Sequence, residues 1–80
     1  MTDADIRQQI IDALTSVAPE VDTASLDSSV PLRNQVDLDS MDFLRFVVEL
    51  HRRVGVDVPE SDYPMLTSID AIAEYVAARR

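Results

Sequence analysis

The stretch Asp37-Leu38-Asp39-Ser40-Met41-Asp42-Phe43-Leu44-Arg45-Phe46-Val47-Val48-Glu49-Leu50-His51-Arg52-Arg53-Val54-Gly55 turns a polar loop into an apolar helix. At about 100° per residue, Phe43, Phe46, Val47, Leu50 and Val54 share a sector about 100° wide, the stripe that a helix buries. Met41, Leu44 and Val48 fall on a different side, near the Ser40 end. Either another segment covers this second stripe, or it stays exposed and docks a partner. Asp39 is the better N-cap, because Asp42 then sits in the negatively favoured first turn. Ser40 is thereby freed from capping and stands at the first helical position with its hydroxyl able to face water. Gly55 ends the helix, and Arg52 and Arg53 suit the negative end of its dipole.

Outward from this helix, the other segments supply what it packs against. From about Asp3 to Val17, the residues Ile6, Ile10, Leu14 and Val17 recur on one helical face. Thr2 and Asp5 make a capping box with Asp in place of Glu, and Pro19 helps to end the helix. From about Pro19 to Asp39 no helical period persists, which predicts a long loop with room for a short helical turn. Val21, Leu26, Val30 and Leu32 are its apolar pins, and loops of this length are often functional. After Gly55, Val56 to Pro59 is an extended connector, and Glu60 to Tyr63 forms one helical turn cut off by Pro64. Thr67-Ser68-Ile69-Asp70 opens a last helix with a Thr-x-x-Asp capping pattern. There Ile69, Ile72, Ala73 and Val76 face inward, Tyr75 packs at the edge of that face, and Arg79 and Arg80 close the chain. The expectation is a single all-α domain over residues 1–80, with three main helices, one short helix and a long loop between the first and second.

Eighty residues, 46% of them apolar, suit one small globular domain. The absence of cysteine excludes disulfides, thiolate metal sites and cysteine nucleophiles. A single histidine, His51, leaves little for a relay or a multi-histidine metal site. The net charge is -8 and no lysine is present, so nucleic acid would be repelled. Either the acidity steers partners that present basic surfaces, or it only keeps a small protein in solution. No apolar run approaches membrane-spanning length and the N-terminus lacks a leader pattern, so a cytoplasmic protein is expected.

Two chemistries at Ser40 fail on the residues. An EF-hand loop starting at Asp37 would need a ligand, a glycine and a glutamate where the chain has Met41, Asp42 and Val48. A serine hydrolase would need a glycine-lined elbow and a base, whereas His51 lies about 16 Å along the same helix. A phosphate ester at Ser40, by contrast, would sit near the positive end of the helix, though Asp39 and Asp42 oppose it locally.

Asp37-Leu38-Asp39-Ser40-Met41-Asp42, then Phe46, Leu50 and Val54, resemble the acyl carrier protein family. The likeness continues through Val56-Asp57-Val58-Pro59-Glu60 and Thr67 to Val76, so it covers nearly the whole chain. It implies a four-helix bundle whose serine, here Ser40, receives 4'-phosphopantetheine from coenzyme A through a phosphopantetheinyl transferase. It implies a carrier and no enzyme: acyl groups ride as thioesters on the prosthetic thiol and are presented to loading and processing enzymes. It further implies that the helix after Ser40 is the recognition surface, with Met41, Leu44 and Val48 as apolar contacts and Asp39 and Asp42 as acidic ones. A monomer without a resident metal is expected.

Two departures stand out. Asp37 replaces the family's usual glycine. The recognition helix is also not acidic, since Asp42 and Glu49 are outweighed by Arg45, Arg52 and Arg53, and Arg45 replaces a usual acidic contact. The expectation is a set of specialised partners, in a fatty-acid or lipid route, that basic docking patches fit poorly. An aminoacyl or peptidyl carrier of the same fold, and a small helical interaction module that is never modified, are the rival readings.

Overall fold

The structure is a computed structural model that describes residues 2–80. Three α-helices form: α1 (Asp3–Val17), α2 (Ser40–Val54) and α3 (Ile69–Arg79). A short 3₁₀ helix, Glu60–Met65, stands between α2 and α3. The expected all-helical bundle, three main helices and one short one, is what the chain forms. It is closed at the ends by local chemistry. Thr2 accepts from the Asp5 amide at 3.2 Å while Asp5 accepts from the Thr2 amide at 3.1 Å, so both halves of the capping box are made. At the other end of α2, Gly55 adopts φ 73°, and its amide donates to the His51 carbonyl at 2.8 Å. The space around a Cβ at Gly55 is open, so the backbone angle alone is what calls for glycine there.

α1 packs along both α2 and α3, and the Glu60–Met65 helix packs on α3. Ile10, Leu14, Phe46, Leu50, Ile72 and Val76 are fully buried where these helices meet. Burial of each such side chain contributes about 1.5–3 kcal/mol, and this shared apolar interior holds the bundle. Polar links join the same helices. Arg7 of α1 pairs with Asp70 of α3 at 2.5 Å. Arg53 of α2 reaches Gln9 at 3.4 Å and Asp12 at 4.0 Å, both on α1.

The long loop is more ordered than its sequence suggests. It holds two 3₁₀ turns, Thr23–Ser25 and Leu32–Asn34. Of the four expected pins only Leu32 is fully buried, Val21, Leu26 and Val30 being half-buried, and Val36 is a further buried pin. Gln35 laces the loop, accepting from the Asp27 amide and donating to the carbonyls of Asp27 and Val30. The loop also docks on the start of α3. The Leu32 amide donates to the Thr67 carbonyl at 2.8 Å, and the Asp70 amide donates to the Ser28 carbonyl at 2.9 Å.

Three local expectations are corrected. Ser68, not Thr67, caps α3, its hydroxyl accepting from the Ala71 amide at 3.1 Å. Two good caps stand side by side, and burial of Ile69, Ile72 and Val76 selects the register that starts at Ile69. Pro64 does not cut the short helix, which runs through it to Met65. A proline's fixed φ suits a 3₁₀ turn, and only one donor is lost. Tyr75 is buried rather than at an edge; its hydroxyl donates to Asp62 at 2.6 Å, tying the short helix to α3. Burial first, and the Asp62 carboxylate next, push the Tyr75 phenol above its ordinary range. The Arg79 guanidinium lies 3.6 Å from the centre of its ring.

Candidate functional site

The head of α2 is set by Asp39, in extended conformation with its carboxylate accepting from the Asp42 amide at 2.8 Å. With the cap supplied by its neighbour, Ser40 begins the helix exposed, and no described residue hydrogen-bonds its hydroxyl. His51, at the far end of the helix, has Nδ1 2.9 Å from the Val56 carbonyl and is engaged there. Ser40 therefore has no histidine beside it, and no described carboxylate accepts from its hydroxyl. Among the described residues no group of three or more histidine, aspartate or glutamate side chains is arranged to hold a metal ion.

Beside Ser40 lies an open groove of about 910 Å³. One wall is the 3₁₀ turn Leu32–Asn34 and the loop to Leu38, and the other is the Glu60–Met65 helix with Leu66. Phe43 forms part of the floor. It is only half-buried, so it lies at the border of the core stripe rather than within it. The Tyr63 ring meets it edge-on at 5.7 Å, and Phe46 lies behind at 6.2 Å. The groove thus has an aromatic floor, an apolar wall and a serine at its rim.

The second stripe of α2 is exposed. Met41, Leu44 and Val48 show 62%, 44% and 61% of their surface to solvent. Leu44 is a ridge between two depressions: the groove beside Ser40, and a shallower one of about 430 Å³ that it shares with Val48 and with Val17 at the end of α1. Arg45 and Glu49 line the second depression. Glu49 does not pair with Arg45; it binds Arg52 at 2.6 Å and Arg53 at 2.9 Å. A glutamate N-terminal to its arginine is the better orientation along a helix, which explains that choice. The Arg52 guanidinium, above all, holds the Glu49 carboxyl below its usual range. Arg45 is left exposed, with no ion pair or hydrogen bond to any described residue.

The six residues expected at the recognition surface are thereby located. Met41, Leu44, Arg45 and Val48 share the exposed side of α2, whereas Asp39 and Asp42 sit at its head, Asp42 half-buried. Sequence reasoning missed both groove walls: Leu32 to Asn34 and Tyr63 meet across a gap that only the fold creates. It also passed over Arg33, the lone cation of the loop, which could have been singled out from the charges around it.

Residues 8–76 match the family described as "Phosphopantetheine attachment site". The chain belongs to that family, and with it to the carriers of a covalently held 4'-phosphopantetheine. It is similar to an "Acyl carrier protein" of Lactobacillus johnsonii, 26% identical over 80 residues, covering 100% of this chain and 99% of the relative. An "Acyl carrier protein" of Campylobacter hominis is 29% identical over 72 residues, 90% of this chain and 85% of that one. One of Rubrobacter xylanophilus is 20% identical over 73 residues, 88% and 90% of the two chains. Among the described residues no helix is long and apolar enough to cross a membrane. The site's residues suit the prosthetic group: a free, exposed hydroxyl on a helix, beside an open groove with an apolar wall.

Proposed function

We propose that the protein is an acyl carrier whose 4'-phosphopantetheine is attached to Ser40. The observation that carries this reading is the exposed Ser40 hydroxyl, unbonded because Asp39 takes over the cap. When bound, the group supplies a terminal thiol that holds acyl cargo as a thioester. The chain itself does the rest. Ser40 offers the oxygen that bonds to phosphorus as the bond to the departing nucleotide of coenzyme A breaks. Its proton goes to a base of the transferase, because His51 is engaged elsewhere and no described carboxylate accepts from the Ser40 hydroxyl. α2 fixes where the arm starts, and the core behind it keeps that point from moving. In this reading the protein is a carrier and not a catalyst, working as a single domain in the cytoplasm.

Partners dock on the exposed side of α2. Met41, Leu44 and Val48 supply the apolar contact, Asp39 and Asp42 the charges beside the attachment point, and Arg45 a positive charge. Arg45 has no partner of its own to release, so an acidic group on a docking enzyme meets it without breaking an existing ion pair. The partners are the transferase and the acyl-loading and acyl-processing enzymes of a specialised fatty-acid or lipid route.

Intact mass tests the attachment. After incubation with coenzyme A, magnesium and a broad-specificity phosphopantetheinyl transferase, the wild type gains one phosphopantetheine and Ser40→Ala gains none. No gain on the folded wild type with two unrelated transferases overturns the reading in favour of an unmodified interaction module.

A further inference from the structure

The chain carries seven arginines against fifteen acidic residues, so an arginine without a partner is unexpected. Five of the seven are engaged. Arg7 pairs with Asp3 and Asp70, Arg52 and Arg53 with Glu49, and Arg79 with Asp62, while Arg80 donates to the Val54 carbonyl. Arg33 and Arg45 make no ion pair or hydrogen bond with any described residue. Arg45 belongs to the outer side of α2 described above. Arg33 stands elsewhere, on the wall of the groove that opens at Ser40.

Its position is fixed from both sides. Leu32 is buried and its amide is held by Thr67 at 2.8 Å, while the amides of Asn34 and Val36 donate to the carbonyls of Pro31 and Leu32 at 3.0 and 2.7 Å. The backbone of Arg33 is thus a short rigid turn, and its exposed side chain lines the groove. Two carboxylates line the same groove, Asp39 and Glu60, and Arg33 pairs with neither. Asp39 is occupied with the Asp42 amide. Among the residues lining the groove, Arg33 is the one cation.

We infer that Arg33 is an anion-binding residue of this groove, and that its anion is the phosphodiester through which the arm is joined to Ser40. This rests on the reading of Ser40 as the attachment point. Esterification places a negative charge at the head of α2, next to Asp39 and close to Asp37 and Asp42. The helix's positive end offsets part of that charge, and the three carboxylates oppose it. A guanidinium supplies a planar fork of donors matched to two phosphate oxygens. Held so, the first part of the arm lies along the groove, and a partner that draws Arg33 away would release it.

The test begins with intact mass of the loaded protein. Absence of the added group on Ser40 refutes the attachment itself and is seen before Arg33 is probed. With the holo protein in hand, the ³¹P resonance of the diester is compared in the wild type, Arg33→Gln, Arg33→Lys and Arg45→Gln. The inference requires a displaced resonance in Arg33→Gln, partial return in Arg33→Lys, no change in Arg45→Gln, and collapse of the differences at high salt. Modification by phenylglyoxal gives a second readout on the unmutated chain. Arg33 reacts about fivefold more slowly in holo than in apo protein, the factor for a surface ion pair at the top of its range, while Arg45 reacts equally in both. Coincident ³¹P resonances in wild type and Arg33→Gln, with equal Arg33 reactivity in apo and holo, overturn it. Protection of Arg33 that appears only after a dicarboxylic acyl group such as malonyl is loaded would overturn it too, assigning the residue to the cargo's carboxylate instead.

Discussion

On one side of α2, Phe46, Val47, Leu50 and Val54 are buried; on the other, Met41, Leu44 and Val48 are exposed by 62%, 44% and 61%. The residue types on the two sides are much alike, and their hydrophobicity does not separate them. What separates them is coverage. α1 packs along α2 and encloses the first side, while its last turn stops at Val17 and leaves a depression beside Leu44 and Val48 instead of a lid. Stability and the proposed docking surface thereby fall on opposite sides of one rigid rod, with Ser40 at its head, so substitutions can address one without the other.

The largest expected effect breaks the buried side. Phe46→Ala opens a cavity in a fully closed core and costs about 3–5 kcal/mol. Total stability of a chain this size is on the order of 4–12 kcal/mol, so Phe46→Ala is expected to be marginally folded. Val48→Ser, by contrast, stays within about 0.5 kcal/mol of wild type. Urea unfolding of the two proteins checks the pair. A Val48→Ser loss as large as that of Phe46→Ala would show that the exposed strip is part of the folded core, and the contrast between the sides would be gone.

A smaller effect is expected at the head of the helix, where the two sides start. Asp39→Ala removes the acceptor 2.8 Å from the Asp42 amide and costs about 1 kcal/mol, whereas Asp39→Asn retains most of the cap. The same urea measurement decides it. If Asp39→Ala unfolds like the wild type, Ser40 has rotated in to cap, and its free hydroxyl was a property of the aspartate's presence.

How much of this was readable in the residues depends on how far apart the deciding groups are. α1 and α2 were legible to their ends because each is closed by a cap, a glycine or a proline within a few residues, and because their apolar periods are regular. The α3 cap was misread by one residue, since Thr67 and Ser68 are equal as local chemistry and only the packing of Ile69 decides. Val36 and Gln35 as loop anchors, and Tyr75 as a buried donor to Asp62, depend on elements eight or more residues away. At the candidate site, the uncapped position of Ser40 and the existence of a second stripe were legible from α2 alone, while the exposure of that stripe was left open. The groove was not, because its walls come from residues near 32 and 63. Nor was the state of the arginines: that Arg45 goes unpaired follows from Glu49 turning to Arg52 and Arg53.

Glu49 marks the border between the two sides and gives the smallest expected effect. The hydrogen bond from Arg52 comes first in lowering its pKa from the ordinary 4.5, partly offset by desolvation. A carboxyl whose pKa is lower in the folded chain adds stability that is fully present above its unfolded value and is lost as pH falls through the folded one. Glu49→Gln should therefore be less stable than wild type near neutrality, and the gap should close as pH drops below the ordinary glutamate range. Asp5 and Asp27 are lowered as well, Asp5 by the Thr2 amide and Asp27 by the Ser29 hydroxyl, so the wild type weakens in acid for more than one reason. The difference between the two proteins isolates Glu49, and thermal unfolding at a series of pH values from about 6 down to about 3 measures it. High salt should shrink the gap, because these charges are at the surface. A gap that is constant across the series would mean that the pairs with Arg52 and Arg53 contribute nothing as charges. Glu49 would then matter only for leaving Arg45 unpaired on the exposed side of α2.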